Sequence, residues 1–330
     1  MNTTEETSRE VRSVEALVSV DASRILGGLY GSLVGDALGV PVEFKPRGDR
    51  ERDPVTGLRD YGTHGQPKGT WSDDGALLLC TVESIVERGF NTEDMGERFV
   101  RWCSRGYWTA TGELFDIGHA TRKALRLIEH GCVAEAAGGT DEFSNGNGSL
   151  MRILPVGLEN SKESRGELVM RHMRASSITH GHDRSKLACV FHGLLVRSLM
   201  DGKEPAVAFR EARVVFAEIF ADSKEMGAFR SLLQGDIAEW PAAAVGSSGY
   251  VMDTLTASIW CLLTSSNFSE CVLKAVNLGD DTDTTGCVAG GLAGVCYGLE
   301  AIPQEWIAAL PRQQELRALF DRFVERVGGS

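Results

Sequence analysis

The sequence has no Cys-x-x-Cys pair, His-Glu-x-x-His helix, Gly-x-Ser-x-Gly elbow, Walker loop or dinucleotide fingerprint. Those absences remove the zinc-knuckle and dithiol readings, the metalloprotease and serine-hydrolase readings, and two common nucleotide cradles. Basic charge is also short. The formal net charge is -12, and a surface of that sign is unsuited to non-specific binding of nucleic acid or an anionic membrane. It does not exclude an anionic ligand, because a bound cation can supply local positive charge. Long apolar runs are missing too. Cys287 to Leu299 is too short to span a bilayer, and Met1 to Glu10 lacks the basic start and apolar core of a signal peptide. The eight cysteines are scattered, several of them in apolar runs where a thiol behaves as a small core residue. Reduced thiols and a cytoplasmic location are the expectation.

Alternating strand-like runs are nearly absent, whereas helical spacing of apolar residues recurs at Val100–Cys103, Leu187–Leu199, Val207–Phe220, Leu255–Leu263 and Leu316–Val327. No Gly/Ser- or Pro-rich linker and no tandem repeat divides the chain. The expected fold class is therefore all-α, with residues 23–330 forming one domain. Residues 1–22 differ. Their first part is polar and acidic and is expected to be disordered, while Val11, Val14, Leu17 and Val18 would form a short apolar stripe. They read either as an extra helix packed on the domain or as an arm that docks on a partner or beside the active site.

Glycines recur every fourth residue at Gly27, Gly31, Gly35 and Gly39, and again at Gly286, Gly290, Gly294 and Gly298. Each helical glycine costs about 1 kcal/mol relative to alanine. Such faces persist when close backbone approach compensates, as small residues at i, i+4 allow. Both segments carry acids at or near an end.

Two acidic groups stand out. Ser72-Asp73-Asp74 precedes an apolar helical run; Ser72 suits an N-cap, and acids favour a first helical turn. Capping explains one aspartate better than two adjacent ones. Asp280-Asp281-Thr282-Asp283-Thr284 places three carboxylates within four residues, which repel unless a cation or a helix N-terminus compensates. Asp281, Asp283 and the Thr284 hydroxyl are hard oxygen ligands suited to Mg²⁺ or Mn²⁺. An EF-hand starting at Asp281 fails, since its twelfth position is Leu292. Asn145-Gly-Asn-Gly-Ser149 leads into Leu150-Met151-Arg152, a glycine-rich loop whose N–H groups can cradle phosphate. His180-Gly-His182 lacks the third ligand that a zinc site needs.

In this order, Gly31–Gly39 with Glu43-Phe44, Gly69–Gly75, Asn147–Arg152, Thr179–His182, Gly249-Tyr250 and Leu278–Thr284 resemble the ADP-ribosylglycohydrolase family over roughly residues 23–300. The resemblance implies a compact orthogonal multi-helix bundle and a binuclear Mg²⁺ or Mn²⁺ site. Ser72, Asp73 and Asp74 match one side of that site, and Asp281, Asp283 and Thr284 the other. Position 72 is Ser where many members have Thr. Glu43 matches a glutamate near the metals. Asn147, Gly148 and Ser149 match a loop contacting the ADP-ribose diphosphate, with Met151 and Arg152 behind it, and His182 and Tyr250 match cleft residues. Phe115-Asp116-Ile117-Gly118 is similar to a segment of the arginine-directed branch, which includes the nitrogenase-regulating glycohydrolase. There the aspartate faces the guanidinium side of the scissile bond, and Asp73, Asp74, Asp116 and Asp281 become the catalytic candidates. His119 stands where that regulatory enzyme has Asn.

What the resemblance implies chemically is a metal-activated water attacking the anomeric carbon of an ADP-ribosylated protein. Two alternatives keep the same fold. One is an immunity-type protein that neutralises a cognate ADP-ribosyltransferase toxin through residues 1–22. The other is a hydrolase of O-linked ADP-ribose.

Overall fold

The computed structural model describes residues 19–159 and 162–328. Fifteen α-helices follow in chain order: α1 (Val20–Gly39), α2 (Arg47–Arg52), α3 (Asp73–Arg88), α4 (Thr92–Arg105), α5 (His119–Glu129), α6 (Leu154–Glu159), α7 (Arg165–Ser177) and α8 (Asp183–Met200). Then come α9 (Pro205–Ile219), α10 (Arg230–Gln234), α11 (Val251–Leu263), α12 (Phe268–Val276), α13 (Thr282–Tyr297), α14 (Gln304–Ala309) and α15 (Gln313–Gly328). Among the described residues β pairing is confined to three isolated bridges, so the fold is all-α as expected. Helix α1 opens at Val20, inside the stretch expected to be an extension; residues 1–18, with the expected apolar stripe, lie outside the described residues.

Side-chain caps fix several helix starts. Ser72 accepts from the Asp74 N–H at α3, Asn91 from Asp94 at α4, Ser164 from Glu167 at α7 and Asn267 from Glu270 at α12. Each satisfies an N–H that the first turn leaves without a carbonyl.

The two glycine faces meet each other. A Cβ built on Gly31 would lie 2.3 Å from the Gly290 carbonyl oxygen, one on Gly35 2.0 Å from that of Gly286, and one on Gly27 2.3 Å from that of Gly294. Residue numbers fall on one helix as they rise on the other, so α1 and α13 run antiparallel with their backbones in contact. Gly298, which caps α13 at φ 82°, closes this face: a Cβ on Gly27 would lie 2.8 Å from its carbonyl carbon. The pairing ends with Gly39 against the Asp283 backbone, where the Thr282 hydroxyl donates to the Gly39 carbonyl at 2.8 Å. Packing thereby holds the acidic start of α13 against the end of α1.

Segment Asp21–Val42, with hydropathy 1.4, is long and apolar enough to cross a membrane, which the sequence reading missed. Within the protein its most apolar 18-residue window is 94 % buried, because α11, α12, α3 and α15 surround the α1–α13 pair. It is a core helix by packing. All eight cysteines are free thiols.

Candidate active site

Four helices point their N-termini into one cleft of about 360 Å³. Helix α3 brings Asp73 and Asp74, α5 brings Gly118 to Thr121, α11 is preceded by Gly249, and α13 brings Asp281 and Thr284. Unpaired N–H groups give each such end a partial positive charge, so together they favour anions. That convergence explains how so many carboxyls collect without unfolding the region.

Asp36, which the sequence reading left outside the site, holds α3 in place. Its carboxylate accepts from the Ser72 N–H at 3.0 Å and the Gly75 N–H at 2.8 Å. Burial raises its pKa to about 7 despite those bonds. Helix α1 thus serves two ends: its glycines make the close crossing and Asp36 holds the neighbouring helix.

Asp74 sits at the junction of the two acidic groups. The Ser72 and Thr284 hydroxyls each lie 3.3 Å from its Oδ2, while its Oδ1 is buried without a hydrogen-bond partner. Asp281 Oδ1 and Asp283 Oδ2 are buried and unpartnered in the same way. One carboxylate oxygen from each of Glu43, Asp281 and Asp283 falls within 4.8 Å of the others. Desolvation, then mutual repulsion, raises Asp73, Asp74 and Asp283 well above the ordinary carboxylate range. Asp281 is raised by burial against the amide of Asn147, and Glu43 is pushed up to about 10 by burial and then by Asp116. Buried hard oxygens that lack donors and repel one another are the donor set of a divalent cation of the Mg²⁺ or Mn²⁺ type. The residues fit such a metal.

Asp116 lies in the cleft wall with φ 47°, a left-handed conformation for a non-glycine residue. Burial raises its pKa, and the nearby His64 opposes the rise. His64, also absent from the sequence reading, contacts the Glu43 carboxylate through Nε2, and ligand atoms of Glu43, His64 and Asp116 lie within 4.8 Å of one another. Its ring stands 5.1 Å from Phe115 and 5.9 Å from Phe44.

The glycine-rich loop closes the other side. Asn147, Gly148 and Met151 line the cleft, and the Asn147 amide donates to Asp281 and to Thr254. Ser149 turns inward to Ser176 Oγ at 2.9 Å. Arg152 is wholly buried under the loop, donating to the Ala175 carbonyl and Thr179 hydroxyl, with its guanidinium 4.5 Å from the Phe99 ring centroid. Of the two histidines flanking Gly181, His180 lines the cleft and packs under Gly148. His182 instead caps α8, accepting from the Arg184 N–H, and lies 3.6 Å from a Glu142 carboxylate oxygen. Tyr250 pairs with Gly146 across an isolated bridge, its ring beside Arg184 at 5.8 Å. So Asp73, Asp74, Asp116, Asp281, Thr284, Glu43, Asn147, Gly148 and Met151 share the cleft. Ser72 and Asp283 touch its acids from behind. Ser149, His182 and Tyr250 lie outside its lining. Phe143, 95 % exposed, lines it without having been noted in the sequence, and His119, noted only as replacing the regulatory enzyme's Asn, lines it as well.

Comparison with known proteins agrees with this geometry. A family model described as ADP-ribosylglycohydrolase matches residues 18–330. The chain is 30 % identical over 313 residues to ADP-ribosylarginine hydrolase Tri1 of Pseudomonas putida (strain GB-1), covering 92 % of this chain and 78 % of that one. It is 28 % identical to the ADP-ribosyl-[dinitrogen reductase] glycohydrolase of Rhodospirillum rubrum, over 92 % of this chain and 97 % of that one. A solved structure titled ADP-ribosylglycohydrolase-related protein complex superposes with a TM-score of 0.79 at 33 % identity, covering 93 % of this chain and 99 % of the other.

Proposed function

This chain belongs to the ADP-ribosylglycohydrolase family, and on that premise we propose that it hydrolyses the N-glycosidic bond between ADP-ribose and protein arginine. The observation that carries the reading is the position of Asp116. A half-buried carboxylate with an outlying backbone conformation faces the same cleft as the acidic pairs, where it can form a charge-assisted pair with a guanidinium. Relatives named for arginine-linked or dinitrogen reductase-linked ADP-ribose support it.

Ser72, Asp73 and Asp74 on one side and Asp281, Asp283 and Thr284 on the other would hold two Mg²⁺ or Mn²⁺ ions. When bound, such ions supply a water of lowered pKa and a clamp for ribose hydroxyls. The chain's own groups do the rest. Gly148, with the N-terminus of α5, offers backbone donors to the diphosphate, whereas the Asn147 donors are taken by Gly249, Thr254 and Asp281. Asp116 orients the guanidinium so that the scissile bond faces the metal side, and Glu43 stands beside it. Positive helix ends oppose loss of the anionic nucleotide while the anomeric centre gains oxocarbenium character.

The proposed partners are an ADP-ribosylated protein and a cognate ADP-ribosyltransferase that modifies it. The experiment is a release assay with Mg²⁺ on arginine-linked and serine-linked ADP-ribose in parallel, with Asp281→Ala as control. Release from arginine alone, abolished by the substitution, supports the reading. Release from serine alone overturns it in favour of an O-linked substrate.

A further inference from the structure

Two exposed aromatic side chains, Phe44 at 64 % and Tyr61 at 63 %, stand on neighbouring segments beside Asp116, and both residues have φ 62°. Neither feature follows from packing. An exposed ring contributes little to the core, and a left-handed backbone at a bulky residue is strained. Strain of this kind persists where the surroundings impose it, and it clusters at ligand-contacting positions.

The surroundings do impose it. The Phe44 N–H donates to the Asp280 carbonyl at 2.7 Å, and the Asp280 N–H donates to the Lys45 carbonyl at 2.9 Å. Phe44 is therefore bolted to the residue before Asp281. The Thr63 hydroxyl donates to the Glu43 carbonyl at 2.8 Å, and a Cβ on Gly62 would lie 2.0 Å from the Pro41 oxygen, so the Tyr61 turn packs on the segment carrying Phe44. Gln66 Nε2 donates to Glu113 at 3.3 Å, and His64 packs on Phe115, joining that turn to the segment carrying Asp116. Three separate loops are thus tied into one rigid lip. Phe44 lines the cleft, whereas Tyr61 lies beyond its lining.

We propose that this lip, with Tyr61 at its outer part, is the docking surface for the polypeptide that carries the modified arginine. The inference rests on the arginine-directed reading and adds to it the part of the substrate beyond the guanidinium. Planar arginine and backbone amide groups stack favourably on aromatic faces, and a fixed lip meets them without an ordering cost. Exposed Glu113, three residues before Asp116 in the chain, adds negative charge suited to an arginine-bearing segment.

The test compares free ADP-ribosyl-arginine with an ADP-ribosylated protein as substrates of the full chain with Mg²⁺. Tyr61→Ala keeps the Cβ and its backbone conformation and removes the ring; Tyr61→Trp keeps a ring. The alanine variant is expected to lower kcat/KM on the modified protein about three- to tenfold, through KM, as loss of one aromatic contact does. It should leave the free amino-acid conjugate unchanged, and Tyr61→Trp should restore the protein reaction. Equal loss on both substrates, or no loss on the protein, overturns the docking role while the arginine reading stands. If the wild-type chain leaves both arginine-linked substrates intact, the arginine reading fails and the docking proposal falls with it.

Discussion

The Asn147 side-chain amide and the Asp281 carboxylate, 134 residues apart in sequence, meet at 2.8 Å. The same nitrogen donates to the Thr254 hydroxyl at 2.8 Å, so the glycine-rich loop and α11 together set the direction in which Asp281 points. Asp281 Oδ1 is left free on the other side of that carboxylate. A group that orients a ligand without binding the metal typically changes affinity 10- to 100-fold when removed. Asn147→Ala should therefore weaken Mn²⁺ binding by about tenfold or more in a calorimetric titration. Undiminished affinity would show that Asp281 needs no such partner.

Asp116 tests a different part of the site. Asp116→Asn keeps the shape and removes the charge that would pair with a guanidinium. Breaking such a pair once substrate covers it costs about 3–5 kcal/mol, so kcat/KM on arginine-linked ADP-ribose should fall by about 10²–10⁴. Mn²⁺ affinity should fall by less than turnover does, about tenfold, as for the loss of a neighbour that supports a metal ligand. Near wild-type turnover would remove Asp116 from the chemistry.

The helix pair that carries the acids gives a stability prediction with an internal control. At Gly35 a Cβ would lie 2.0 Å from the Gly286 carbonyl oxygen and 2.5 Å from its carbon, both backbone atoms that cannot step aside. Gly35→Ala should cost about 3 kcal/mol or more, read as a lower denaturant midpoint. Gly48, within α2, has nothing within 4 Å of its Cβ position. Gly48→Ala should stabilise by about 0.5–1 kcal/mol, from helix propensity and a less flexible unfolded chain. Equal effects at both sites would contradict the backbone contact.

Much of this was legible in the sequence, for physical reasons that differ by residue. Periodic apolar spacing exposed the helices, and the cost of repeated glycine exposed a close backbone approach at each glycine face, though not that the two faces meet each other. Carboxylate crowding exposed Asp281 and Asp283. Asp36 was hidden because a single acid inside a glycine face has no local signature; its partners are N–H groups 36 and 39 residues away. His64 and Phe143 were hidden likewise, one in a turn and one in a loop, since nothing in their neighbours marks the cleft they reach. The choice between His180 and His182 depends on which way a three-residue turn points. That is decided by Gly148 packing on His180 and by the α8 N-cap, neither of which is visible as a motif.

The acids also predict how metal and pH act together. In the metal-free protein, Glu43 is raised to about 10 and Asp36 to about 7, with Asp73, Asp74 and Asp283 also raised. A carboxyl raised in the folded state binds its proton more tightly there than in the unfolded chain. Its stabilising contribution is complete below the unfolded value of about 4 and is lost as pH rises through the folded value. Metal-free stability should therefore fall from about pH 4, the Asp36 contribution being lost by about pH 7 and that of Glu43 by about pH 10. Divalent ions bind the deprotonated carboxylates, so their stabilising effect should grow over the same interval. Buried His172, His180 and His192, with pKa values lowered to about 4, 3 and 3, act in the opposite sense. Their contribution is present above about 6.5 and is lost as pH falls. Comparing samples with and without metal at each pH cancels that histidine contribution. The difference in Tm between protein with Mn²⁺ and protein with chelator should rise steadily from about pH 5 to about 8. A difference that is flat or that shrinks with pH would mean that the buried acids are not what the metal binds.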